Sequence, residues 1–310
     1  MSDKLRPILE AYLAGRMPPN IALMRLCIEG ASPDEVRAAV QEAGLSCDGA
    51  SERERGHVAP SAPAPEPERL SALSRLLDQN PTAWATIRAV MAEAEHDRSI
   101  SSAEGAVAHW SVVFDRLAKA QPEAGVALYA LGSPELLEAA TAEIVEALRG
   151  WGLLRVSSQV LEIGCGIGRF VRALAPEVSH VTGLDLSREM IATARERCAG
   201  LANVRLEVSS GRDLAGLGGA SFDLVLAADV FPYLVQAGAE LAARHIAEAA
   251  RVLRPGGTLA ILNYSYRGDV GLDRRDIARE AERAGFAPAE EPRPSFQHWD
   301  GSVFLLRKPA

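Results

Sequence analysis

The spacing of apolar positions changes character three times along the chain. Over residues 1–45 they recur at helical intervals, in "IALMRLCIEG" after Asn20 and again in "SPDEVRAAVQEAG". The second stretch carries its own punctuation, with Ser32 as N-cap, Pro33 in the first helical position, acids in the first turn and Gly44 as a stop. A small helical unit is predicted there. Over 46–68 the period vanishes: "SERERGHVAPSAPAPEPE" mixes Pro, Ala and charge and buries too little surface to order itself, as an extended linker does. Helical spacing returns over 69–150 in "RLSALSRLLDQN", "PTAWATIRAVMAEAEHD", "AVAHWSVVFDRLAKA" and "SPELLEAATAEIVEALRGWG", with Asn80-Pro81 and Ser133-Pro134 as start signals.

Within the last segment, 151–310, short apolar runs alternate with helical stretches. "QVLEIGC", "HVTGLDL", "VRLEVSS", "FDLVLAADV" and "TLAILNY" read as strands, and "SREMIATARERCAG" and "AELAARHIAEAARVL" as helices between them. Such alternation implies right-handed βαβ units and a parallel sheet covered on both faces, a doubly wound α/β domain.

Composition supports a folded chain and narrows its partners. Of 310 residues 48% are hydrophobic and 24% charged, enough for a substantial core. A net charge of -8 argues against general affinity for nucleic acid or anionic membrane, which draws on clustered Lys and Arg. No apolar run approaches the roughly 20 residues that span a bilayer, and "MSDKLRPILE" lacks the regions of a signal peptide, so a cytoplasmic location is expected. Cys27, Cys47, Cys165 and Cys198 show no CxxC spacing and no histidine at ligand spacing, so neither a disulfide framework nor a metal site is predicted.

The stretch with most chemical content is "VLEIGCGIGRF", 160–170. A glycine-rich first turn after a strand lets a ligand lie against backbone, and an acid at the end of the second strand, here Asp185, can accept from both ribose hydroxyls. The ligand is therefore an adenosine-type nucleoside. Dinucleotide sites usually read GxGxxG, which would place a glycine at 169; Arg169 stands there, and the run is GxGxG. Glu162 ahead of the turn is unhelpful to a pyrophosphate but can serve an ammonium group.

These residues resemble the class I S-adenosylmethionine-dependent methyltransferases. "VLEIGCGIGRF", "GLDLSREMI", "SGRDLAGLGGASFDLVLAADVF" and "EAARVLRPGGTLAILNY" stand in the family's order, and the likeness covers about residues 155 to 308. It implies a Rossmann-like sheet of seven strands, order 3-2-1-4-5-7-6 with the last antiparallel, the C-terminal "SVFLLRKPA" being that last strand. It also implies S-adenosylmethionine as cofactor. Gly164, Cys165, Gly166 and Gly168 would border its methionine and ribose parts, with Glu162 beneath the amino group. Asp185 would take the ribose hydroxyls, and Leu186 and Met190 would lie against the adenine. Gly211, Asp213 and Leu214 would hold the adenine edge, while Ala228, Asp229 and Val230 would face the methionine end. Such enzymes commonly roof the pocket with helices ahead of the first motif, which points to 69–150 and to Tyr129 as a roof residue.

Methyl transfer is an in-line displacement at an already activated carbon, so alignment and exclusion of water supply much of the catalysis, and a base is needed only for a nucleophile of high pKa. Aromatic residues gather in the loops after the fourth and fifth strands and before the last: Phe231 and Tyr233, then Tyr264 and Tyr266 beside Asn263 and Arg267, then Phe296, His298 and Trp299 beside Asp300. They suit a flat or apolar acceptor, with His298, Tyr233 or Tyr266 to take a proton; equally, "FPYL" and Trp299 can be packing. His109 and Trp110 read as core, and neither His180 nor His245 invites a catalytic role. The leading expectation is an enzyme methylating a small molecule. A cofactor-binding protein without methyl transfer remains open, since the N-terminal helices would suit a partner or a homodimer. A nicotinamide-dependent oxidoreductase is disfavoured by the glycine spacing.

Overall fold

The computed structural model describes residues 4–47, 64–94, 102–292 and 296–310. The helical part comprises α1 (Arg6–Leu13), α2 (Pro19–Ile28), α3 (Pro33–Cys47), α4 (Glu66–Gln79), α5 (Ala83–Glu93), α6 (Ala103–Ala120), α7 (Pro122–Val126), a 3-10 turn (Leu128–Ala130) and α8 (Pro134–Gly150). Ser32 and Glu35 form a reciprocal capping box at α3, and Ser133 caps α8 through Leu136 N. Helix α4 begins at Glu66, inside the stretch expected as linker, most of which lies outside the described residues. Asn20 differs from expectation: α2 starts two residues before Ile21, at Pro19, and the Asn20 side chain makes no cap.

The second part alternates as predicted: β1 (Gln159–Ile163), α9 (Arg169–Leu174), β2 (His180–Asp185), α10 (Arg188–Arg197), β3 (Val204–Val208), β4 (Phe222–Ala228), α11 (Phe231–Ala237), α12 (Ala239–Val252), β5 (Leu253–Leu262), α13 (Val270–Arg283) and β6 (Val303–Arg307). Strand order is β3-β2-β1-β4-β5-β6, all neighbours parallel except β5 and β6. The expected sheet had seven strands; among the described residues there are six. Beside β6, the segment after α13 makes only the bridge Glu290 to Leu305 and the bond from Ala287 N to Arg307 O. Pro288 and Pro292 flank that bridge, and proline has no N–H to donate to a ladder, which explains why no full strand forms there.

Alternate residues of β1 serve opposite layers, as strand geometry requires. Val160 packs with Leu224, Leu226 and Ala260 on one face, and Leu161 with Val225, Leu259 and Ile261 on the other, against α12 and α13. The first face is continuous with the helical part, including Ile21, Leu23, Leu73, Ile87 and Leu131. Helix α2 lies against α4, α5 and the 3-10 turn. Its Ile21, Ala22, Leu23 and Leu26 are thus buried within the chain. Among the described residues no helix is long and apolar enough to cross a membrane and no cluster could hold a metal; Cys27, Cys165 and Cys198 are buried free thiols.

Candidate functional site

The turn after β1 begins with Gly164 at φ +67° and continues with Gly166 at +51°. Both are left-handed conformations that side-chain-bearing residues avoid. Space forbids a side chain too: a Cβ on Gly164 would overlap Val230, and one on Gly166 would come within 2.6 Å of Val126 Cγ1. Asp185, 8% exposed at the end of β2, grips this turn: its Oδ2 accepts from Gly166 N (2.9 Å) and its Oδ1 from Ser187 N (2.8 Å). Burial pushes the carboxyl up to about 6, against the pull of those amides. Each oxygen keeps a second acceptor site, so the carboxylate is held in place and still able to take two hydroxyls.

In front of Asp185 opens a cleft of about 550 Å³, counting the open solvent at its mouth. The sequence-predicted Gly164, Leu186, Gly211, Asp213, Leu214 and Val230 line it with Asp185. Helix α6 adds Val107 and Trp110, α11 adds Tyr233, and α12 adds His245. His245 is buried, its Nδ1 2.9 Å from Leu241 O, and burial lowers its pKa, which keeps the ring neutral. Sequence reasoning passed over this histidine. Its signal was a single imidazole within the apolar stripe Leu241, Ala242, Ile246 and Ala249 of α12.

At the carboxyl ends of β4 and β5 lies a second, polar constellation. Asp229 (φ +56°) and Asn263 (φ +64°) both hold left-handed backbone, and Asn263 Nδ2 donates to Asp229 Oδ1 at 2.6 Å. Strained non-glycine residues at neighbouring strand ends are a mark of functional sites. Tyr129 donates its hydroxyl to Asp229 Oδ2 (3.4 Å) and accepts from Arg169 (2.8 Å), whose guanidinium also lies 3.6 Å from that carboxylate and 4.2 Å over the Phe170 ring. The Arg169 side chain is only 7% exposed. Burial raises Asp229, opposed by Arg169, Asn263, and the side chains of Trp299 and Tyr129. Close to Arg169, the buried Glu162 is raised well above the ordinary carboxylate range, by burial first, and its Oε2 has no partner. Arg169 carried no sequence signal beyond its absence from the glycine pattern.

The remaining predicted residues fall into two groups. Cys165, Gly168 and Met190 pack the turn onto its neighbours: Cys165 N donates to Leu184 O (2.9 Å), Gly168 faces Ala194, and Met190 Cε faces Gly125. Ala228 ends β4 beside Asp229. Of the acid–base candidates, Tyr233 sits 4.7 Å from Trp110 and 5.2 Å from Phe114, ring to ring, and burial then Asp229 raise its hydroxyl. Tyr266 is 64% exposed, its ring 6.2 Å from Tyr233. His298 lies apart from the cleft lining, its Nδ1 3.5 Å from Glu143. Phe231 stacks on Tyr264 and Trp299 packs on Phe296, so these loop aromatics serve the core as well.

Comparison with known proteins bears on this geometry. A methyltransferase domain family matches residues 161–261. The chain is 32% identical over 108 residues to a demethylmenaquinone methyltransferase of Tropheryma whipplei, covering 35% of this chain and 42% of that protein. It is 30% identical over 149 residues to an S-adenosyl-L-methionine-dependent Diels-Alderase of Talaromyces variabilis, covering 46% and 49%. The chain thus spans less than half the length of each. The fold matches the phosphoethanolamine N-methyltransferase 1 of Haemonchus contortus, in complex with phosphoethanolamine and S-adenosylhomocysteine, with a TM-score of 0.50 and 19% identity over 68% of this chain and 50% of that one. The matched residues, 161–261, hold the glycine turn and Asp185 and supply most of the cleft lining, so the likeness to methyltransferase domains falls on the part of the chain that builds this site.

Proposed function

We propose that the chain transfers a methyl group from S-adenosylmethionine to a small-molecule acceptor. The observation that carries this reading is the pairing of two complementary subsites on the neighbouring strands β1 and β2: the Asp185 cleft, fit for an adenosine, and the buried Glu162 with its unpartnered oxygen, fit for an ammonium. When bound, the cofactor supplies a methyl carbon already activated by a neighbouring sulfonium. The chain's own part is alignment and dryness. Asp185 accepts the ribose hydroxyls, Asp213 accepts at the nucleobase edge, and Glu162 accepts from the amino group. Trp110 and Phe114 each meet Tyr233 edge to face and close the roof, excluding water and presenting an apolar wall to an acceptor. Tyr233, with its hydroxyl raised, keeps its proton at neutral pH and acts as wall rather than base. The acidic chain and its apolar cleft favour a small acceptor over nucleic acid.

Calorimetric titration with S-adenosylhomocysteine tests the cofactor assignment, with NAD as the control expected to give no heat; the reverse result overturns it. A second reading, cofactor binding without methyl transfer, is favoured by the likeness to the Diels-Alderase. Single turnover with methyl-labelled S-adenosylmethionine and a metabolite extract separates the two: label on a product supports transfer, and label that stays on the cofactor supports the second reading.

A further inference from the structure

Helix α2 reaches the site through one side chain. Asn20 is 1% exposed, and its Nδ2 donates both of its bonds across the fold, to Tyr129 O at 2.9 Å and to His298 O at 2.8 Å. Two carbonyl acceptors fix the amide orientation, and Oδ1 is left buried without a partner. The helix does not need this residue, because it makes no cap; the fold retains a costly unpaired acceptor for the sake of two long-range bonds. What those bonds hold is specific. Tyr129 carries the hydroxyl that joins Arg169 to Asp229, and His298 precedes Trp299, whose side chain bonds to Asp229. One turn along α2, Arg25 pairs with Asp300 at 2.7 Å. The backbone of Gln297 and His298 is anchored from the other side by Glu143.

We propose that Asn20 is a positioning residue of the cofactor site, through which helix α2 sets Tyr129 and the loop 297–300 against Asp229 at the amino-acid end of the bound cofactor. The inference rests on the S-adenosylmethionine reading of the cleft. It makes the N-terminal helices part of the binding machinery. The groups that Asn20 holds meet Asp229 and not Asp185, so its influence falls on the amino-acid end and spares the adenosine end.

Two ligands separate these ends: S-adenosylhomocysteine, which has the amino-acid group, and 5′-methylthioadenosine, which lacks it. Asn20→Leu should weaken S-adenosylhomocysteine about tenfold while 5′-methylthioadenosine changes less than about twofold, since only one ligand reaches the displaced groups. Equal weakening of both, as a general loosening of the fold would give, overturns the proposal, and so does no change in either. Should Asn20→Leu unfold, Asn20→Ser, which keeps one donor, is titrated in its place with the same selective pattern expected. Tyr129→Phe should reproduce the selective loss, and the double variant should lose little more than the worse single one; additive losses overturn the route through Tyr129. Wild-type protein that binds neither ligand overturns the cofactor reading and this inference with it, whereas a wrong pattern confined to the variants refutes Asn20 alone.

Discussion

The two ends of the proposed site are stabilised by opposite means. At the end proposed for the adenosine one carboxylate, Asp185, is held by backbone amides of residues 166 and 187, and its partners are independent of side-chain identity. At the other end Asp229 is held by side chains of Tyr129, Arg169, Asn263 and Trp299, gathered from four separate segments. A backbone-held acid survives substitution of its neighbours. A side-chain-held acid in a buried ion pair depends on every member, because removing one leaves a charge in a low-dielectric setting.

That contrast predicts unequal damage. Arg169→Leu strips Asp229 of its buried counter-charge and should cost about 3–5 kcal/mol of stability in urea denaturation; a loss below 1 kcal/mol would erase the distinction. Asp185→Ala should cost less stability, about 1–3 kcal/mol for the amides of residues 166 and 187 left unpaired, yet weaken S-adenosylhomocysteine by more than about tenfold, because the acceptor for two hydroxyls is gone. Unchanged affinity would remove Asp185 from the site.

A titration sharpens the comparison further. Asp185 ionises near 6 in the fold against an ordinary 3.8, so the folded state takes up this proton before the unfolded chain does. This one group therefore favours folding increasingly as pH falls from 6 toward 4, while the same proton removes an acceptor from the ribose site. Affinity for S-adenosylhomocysteine should fall by up to about tenfold per pH unit below 6 in wild type, and that pH dependence should be absent from Asp185→Asn; an identical profile in both would reassign it. The smallest effect belongs to Tyr266, which stands 64% exposed at the rim. Tyr266→Ala should shift stability by no more than about 0.5 kcal/mol, in keeping with exposed positions, and leave S-adenosylhomocysteine affinity within about twofold; a larger loss of affinity would bring the rim into the cofactor site.

Legibility followed the same division. Strands β1 to β5, the glycine turn and Asp185 were readable because each depends on a local period or a short spacing. Among the described residues the expected seventh strand is absent, although Pro288 and Pro292 were visible, because the expectation came from the family pattern and the prolines forbid a full ladder. Asn20 looked like a helix start because capping preference is a local rule. Its actual partners are 109 and 278 residues away, beyond any local pattern.

By itself the sequence determined the alternation of strands and helices, the parallel core and the glycine turn, since backbone conformation and burial period are properties of neighbouring residues. Only the tertiary structure decided which side chains complete the site. Arg169, His245 and Asn20 acquire their surroundings from segments far along the chain, and a buried polar group takes its role from whatever donors and acceptors the fold brings to it.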